Sequence, residues 1–334
     1  VKAWSDVMAR GHKPVRGSRA FWPKKRAKRI YPSIKTYPLK AGDKVEPLAF
    51  AGYKAGMTQA SFIDNKKGSP TAGQEIMEAV TVIDCPPLVV CGMKMYRKTH
   101  CGLVNEGTVW HESLPKDLGR KLDIPKKPHM KKELIGKNLD RLAAVRLIVS
   151  TQPKISGMGK KKPEVFEVPI SGNVEKQWAY ALEKLGKEIM PADVFSEGEA
   201  VDVKAVTKGK GFTGPVKRFG IKVRNRKSGG KMRHVGSLGP VQPSRVLPGK
   251  IAFPGQLGFQ TRTEYNKKIL KIGEDGLYPL SGFVNYGRVP KNYVIIEGSI
   301  PGPKRRLIML RKAVRSHEKP APVDLKHVSL EPQN

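Results

Sequence analysis

Carboxylates are scarce in this chain. Twenty-nine Asp and Glu stand against 63 Lys and Arg in 334 residues, a formal net charge of +34. From 203 to 263 there is no Asp or Glu at all, so nothing in that stretch offers paired carboxylates or a carboxylate-oriented general base. Cysteine is rare too. Cys85, Cys91 and Cys101 make an odd count in a long chain, which favours free thiols in a reducing compartment. With His100 and His111 they share one window, but their spacings miss the close Cys pairs of a structural zinc site, and no metal is expected. No apolar run approaches the ~18 residues of a membrane span. No basic amphipathic helix stands out for a membrane surface, and no signal-peptide pattern follows the basic N-terminus. A membrane partner is therefore not expected.

What is present is basic charge, unevenly placed. Residues 1–44 carry thirteen Lys and Arg against Asp6 and Asp43, and 203–263 carry fourteen against none. Those 105 residues hold +25 of the +34, while the rest has ordinary apolar content. The pattern predicts a globular body with two basic extensions, one terminal and one internal, and a nucleic acid as partner. The internal stretch, with eleven Gly and five Pro and no sustained apolar period, cannot offset its own ordering entropy by burial. Without a polyanion both extensions are expected to be disordered.

Along the chain, residues 1–44 interleave cations with Trp4, Phe21, Trp22, Tyr31 and Tyr37. This is a solvated tail or an arm that stacks on unpaired bases while Lys meets phosphate, and the total charge favours the arm. Residues 45–114 read as the first part of a β body. A hairpin is expected over 47–64 with Gly52 and Gly56 as turn points, then two strands broken at Pro86 and Pro87, then a strand over 107–114. Residues 115–198 read as an α/β insertion, with a helix over 131–147, a β run over 146–152 and another helix after Asn173. The second presents Val174, Trp178, Ala181, Leu182 and Leu185 on one face and ends at Gly186. The body resumes with a strand at 199–207, and 208–263 is the basic internal extension between two core strands. The second part of the body, 264–316, shows strands in YNKKILKIG, SGFVNYGRV, NYVIIEGSI and RRLIMLRKAV. Residues 317–334 read as a loose polar tail.

Two motifs tempt an enzyme reading. Gly209–Gly214 (GKGFTG) matches G-x-G-x-x-G after a strand. Pro215 and the basic run behind it offer no apolar helix face, and the next acidic residue is Glu264. A dinucleotide fold needs both features, so these glycines serve turns or close approach to phosphate. His234, beside Lys231 and Arg233, faces RNA rather than acting as a base. Phe212, Phe219, Phe253 and Phe259 either stack on bases or anchor the stretch locally. An RNA-modifying enzyme and a free RNA chaperone are the alternatives to a structural role.

Several segments together resemble one family. They are Phe50–Thr58 (FAGYKAGMT), Val206–Gly220 (VTKGKGFTGPVKRFG), Gly236–Val246 (GSLGPVQPSRV), Gly255–Lys268 (GQLGFQTRTEYNKK), Gly282–Gly287 (GFVNYG) and Ser299–Leu307 (SIPGPKRRL). The family is large-subunit ribosomal protein L-three, in its archaeal form. The resemblance implies a mainly β fold, a six-stranded translation-protein-type β-barrel with an α/β insertion and long basic extensions. It implies a non-enzymatic, cytoplasmic constituent of the large ribosomal subunit, needing no cofactor or small-molecule substrate. Large-subunit ribosomal RNA and neighbouring ribosomal proteins, the L-fourteen family among them, would be its partners. It would act early in subunit assembly, its internal extension directed at the peptidyl transferase centre. The rRNA-binding residues expected on the arm are Arg10, Lys13, Arg16, Arg19, Trp22, Lys24, Lys25, Arg26, Lys28 and Arg29. On the internal extension they are Lys208, Lys210, Lys217, Arg218, Arg224, Arg226, Lys227, Lys231, Arg233, His234, Gln242, Ser244, Arg245, Lys250 and Arg262. The resemblance puts Val241 at the extension tip, where some relatives carry an aromatic residue.

Overall fold

A computed structural model describes residues 21–38, 44–65, 68–124, 141–242, 244–247, 249–316 and 323–331. The chain divides into two compact units: one takes Arg29–Val206 and the chain from Thr261 onward, the other Thr207–Gln260 with the chain up to Lys28.

The first unit is mainly β. Its larger sheet runs, in order, through β13 (Leu307–Lys312), β8 (Ala200–Val206), β11 (Thr261–Gly273), β12 (Tyr293–Glu297), β2 (Glu75–Asp84), β1 (Ala49–Ile63) and β14 (Leu325–Val328). β1 also pairs with β13, Phe50 opposite Leu310, so the path of pairings returns to its start. Both faces are covered. Ile308 and Leu310 join one apolar cluster with Val203, Ile269, Val294 and Ile83. Leu307 and Met309 join the other with Tyr53, Val82 and Ile295. A strand buried on both faces reads as a continuous apolar run, which is why LIMLRK shows no alternation. Its two cations are buried and partnered. Arg311 donates from Nε and Nη2 to Asp202 Oδ2 at 3.0 and 2.9 Å, its cross-strand neighbour on β8. Lys312 pairs with Glu46 and lies 3.6 Å from Glu199.

The second sheet is β4 (Gly102–Trp110), β3 (Leu88–Thr99), β5 (Ala144–Ser150) and β6 (Val165–Pro169), with β7 (Glu188–Ile189) also on β3. Helix α1 (Val174–Lys184) buries Gln177, Trp178 and Ala181. The Gln177 amide ties helix to sheet, accepting from Val145 N at 2.9 Å and donating to Ile170 O and Gly172 O at 3.0 and 2.7 Å.

Several sequence expectations are corrected. Residues 49–63 form one strand, not a hairpin. Gly52 and Gly56 are there for close approach: a Cβ on Gly52 would lie 2.5 Å from Ile83 Cγ2 and 2.8 Å from Asp84 O, and one on Gly56 2.5 Å from the Phe283 ring. The expected helix over 131–147 lies largely outside the described residues, and Ala144–Leu147 is strand, because β3 supplies a pairing edge that overrides local propensity. Leu182 is exposed, so the buried stripe of α1 is narrower than its periodicity suggests. SGFVNYGRV is a turn closed by Phe283 and Gly287, each amide donating to the other's carbonyl at 2.9 Å. Its Phe283, Tyr286 and Val289 are buried in the second cluster. Within the expected polar tail, Leu325–Val328 pairs with β1; 317–322 and 332–334 lie outside the described residues. Cys85 and Cys91 are buried and Cys101 exposed. Burial pushes the Cys85 thiol well up and the Cys91 thiol up to about 11, so both stay protonated and unreactive at neutral pH.

Candidate nucleic-acid interface

The second unit begins with its two limbs tied together. Thr207 N donates to Gln260 O at 3.0 Å, Phe259 N to Lys208 O at 3.3 Å, Lys210 N to Leu257 O at 3.0 Å and Leu257 N to Gly211 O at 2.9 Å. Strands β9 (Phe212–Thr213) and β10 (Gly255–Gln256) extend the pairing by two residues. The limbs are close at Gly258, where φ is +71° and a Cβ would lie 2.1 Å from Lys208 O.

Helix α2 (Pro215–Phe219) follows β9 with Pro at its start, where the missing N–H has no intrahelical partner to lose. It is five residues long, not the long helix a dinucleotide fold would set behind G-x-G-x-x-G. Its last residue, Phe219, is buried and stacks on Trp22, ring centroids 5.0 Å apart and planes 16° from parallel. Lys24 Nζ lies 4.2 Å from the Phe219 centroid. Ala27 N donates to Phe259 O at 2.8 Å, a further tie between arm and limb. Arg218 donates from Nε to Gln256 O at 3.0 Å and from Nη1 to Phe253 O at 2.8 Å. Burial lowers its pKa from the ordinary value, yet a guanidinium stays charged. Trp22 and Arg218 thus spend their rings and donors inside the unit.

The remaining cations point outward. Lys25, Arg26, Lys28, Lys208, Lys210, Lys217, Arg224, Arg226, Lys227, Lys231, Arg233, Arg245 and Lys250 are exposed, as are His234, Gln242 and Ser244. Arg29 is exposed and Arg262, on β11, half-buried; both belong to the first unit. Arg10, Lys13, Arg16 and Arg19 lie outside the described residues. Lys222 is exposed beside Arg224; nothing but its place in the basic run marks it in the sequence. The described residues of this unit hold sixteen Lys and Arg and not one Asp or Glu. Between Ile221 and Ala252 the described residues form no strand or helix. Val241, 86% exposed, closes a turn in which Ser244 N donates to its carbonyl at 2.6 Å. The two readings of the phenylalanines separate by residue. Phe219 is a buried anchor, Phe253 and Phe259 are half-buried, and Phe212 is 79% exposed.

Apolar anchors within and exposed cations without define a polyanion-binding scaffold protein. No described helix is long and apolar enough to cross a membrane. The family model described as Ribosomal protein L3 matches residues 8–331. A large ribosomal subunit protein uL3 from Methanothermobacter thermautotrophicus is 48% identical over 319 residues, covering 92% of this chain and 94% of the relative. Others from Methanosphaera stadtmanae and Archaeoglobus fulgidus are 45% and 47% identical over 93% and 91% of the chain, and 95% and 92% of their own lengths. The chain belongs to the ribosomal protein L3 family, whose members are structural proteins and not enzymes.

Proposed function

We infer that this chain is a structural constituent of the large ribosomal subunit of the cytoplasmic ribosome, and that it binds large-subunit rRNA through the exposed cations of its second unit. One observation carries this interface: sixteen cations and no carboxylate among the described residues of a unit whose limbs are fixed by their own backbone hydrogen bonds. Each cation that meets a phosphate releases counterions and adds affinity without reading sequence. Phe212, exposed between Lys210 and the glycines of the loop, stacks on an unpaired base. Residues 1–44 and 208–263 act as the RNA-binding extensions, and 115–198 is an α/β insertion in the body. The ring of pairings among β1, β2, β12, β11, β8 and β13 supports reading the body as a six-stranded translation-type barrel. Early action in assembly, a place for the internal extension near the peptidyl transferase centre and a neighbour of the L-fourteen family rest on the family resemblance.

Ultraviolet crosslinking of purified large subunits, with peptide and nucleotide both mapped, tests this. Adducts are expected from Lys208, Lys210, Phe212, Lys217, Lys227 and Lys231 to nucleotides around the catalytic RNA core. Adducts confined to distant RNA would overturn the placement, and none at all from 207–260 would overturn the interface.

A further inference from the structure

The irregular part of the extension is not a featureless basic loop. Between Ile221 and Ala252 it folds around a cleft of about 340 Å³, into which Ile221, Val235 and Ile251 turn an apolar wall. Lys222, Arg224 and Lys250 line the same cleft with His234 and Ser237. The wall residues are half-buried and the cations exposed. Arg224 is held: its amide donates to Met232 O at 2.9 Å and its Nη2 to Val235 O at 2.5 Å. Its other guanidinium donors keep a fixed direction at little further entropic cost. The size falls at the lower end of ligand clefts, which run to roughly 300–1,000 Å³. That volume is on the scale of one nucleotide and too small for a duplex.

We propose that this cleft takes a single nucleotide extruded from the ribosomal RNA. Its base lies against Ile221, Val235 and Ile251, its phosphate meets Lys222, Lys250 and Arg224, and His234 and Ser237 reach the edge of the base. Proteins that take up an extruded nucleotide hold its base against apolar or aromatic side chains and read its edge by hydrogen bonds. The proposal rests on the rRNA-binding reading above but adds a defined site to it. This group surrounds a concavity with an apolar wall.

Crosslinking of intact subunits without substitution tests it first. Ile221, His234 and Ile251 should give adducts to the base of one and the same nucleotide, and before nuclease treatment the adduct should migrate with intact RNA. Adducts from Lys208, Lys217 or Lys227 with none from these three would overturn the cleft while leaving the interface standing. An adduct to a free mononucleotide would overturn the RNA source. A second arm uses Ile251→Trp, which fills the cleft and keeps every charge. In subunits carrying it, 2′-hydroxyl acylation at the crosslinked nucleotide should rise several-fold, with the RNA around the other extension contacts unchanged. Unchanged acylation at that nucleotide would also sink the proposal. If the variant chain fails to enter subunits, the unsubstituted adduct pattern alone decides.

Discussion

Asp84 is a carboxylate buried at the end of β2, with Tyr286 Oη donating to its Oδ2 at 2.6 Å. Burial raises its pKa from 3.8 to about 6, and the Tyr286 hydrogen bond opposes the rise. Burial and the Asp84 charge push the Tyr286 hydroxyl far up, so it remains the donor. Between pH 4 and 6 the folded chain holds a proton that the unfolded chain has released. Stability therefore falls as pH rises through this window and stays lower above it, by up to about 3 kcal/mol. Asp84→Asn keeps an acceptor for Tyr286 and removes the charge. Melting of the full chain free of RNA should show the variant equal to its parent near pH 4 and more stable near pH 7. A gap that does not widen with pH would refute the buried charge as its cause. At this scale the sequence is half legible. That Lys208, Lys227 or Lys231 would face outward follows from composition alone. That Trp22 would stack on Phe219, or that Arg218 would bind Phe253 O and Gln256 O, does not, because each pairing joins segments far apart in the chain and leaves no local periodicity.

The elements show where local reading holds. β2 and β3 are bounded by Pro86 and Pro87, because proline acts over a few residues; α1 starts after Asn173, though the Asn173 side chain makes no cap hydrogen bond. Gly52 and Gly56 mislead for the same reason: a glycine marks a turn or a close approach with the same letter, and only the partner strand decides. The limbs of the internal extension are a similar case. A composition that suggests disorder throughout coexists with backbone hydrogen bonds over 207–220 and 253–260. In the full chain without RNA, amide exchange should therefore be slowed at Lys210, Gly220 and Leu257 and fast through most of 221–252. Gly258→Ala forces a Cβ against Lys208 O and places Ala at positive φ, an overpacking of ~1–3 kcal/mol. It should speed exchange at Lys210 and Leu257 by about tenfold or more and leave Val203 and Ile269 as they were. Undiminished protection at Leu257 would mean that the close approach at Gly258 is not what holds the limbs.

For the whole molecule, two compact units imply that one can be shortened while the other folds. Replacing 214–254 by Asn-Gly joins Thr213 to Gly255 through a tight hairpin turn, since those two residues already pair. The shortened chain should keep a cooperative unfolding transition within a few degrees of its parent's. Its binding to large-subunit rRNA should lose salt dependence, the log–log slope falling by ~0.7–0.9 for each phosphate contact removed. An unchanged slope would place the contacts elsewhere, and loss of the transition would show that the body needs its extension. Fold class and partner class are legible in the sequence because both follow from summed quantities, charge and apolar content. The ring of strand pairings is not, since it depends on β1 meeting β13 from the far end of the chain.

The pairing of Val206 with Thr261 has one more consequence. It fixes the two ends of the excursion side by side before any of its residues takes a position, so the excursion is a loop already closed by the strands that flank it. For such a loop, length is thermodynamically cheap: doubling it raises the closure entropy by only about 0.6 kcal/mol. The excursion can therefore be lengthened or trimmed between Thr213 and Gly255 with little effect on the strands that flank it.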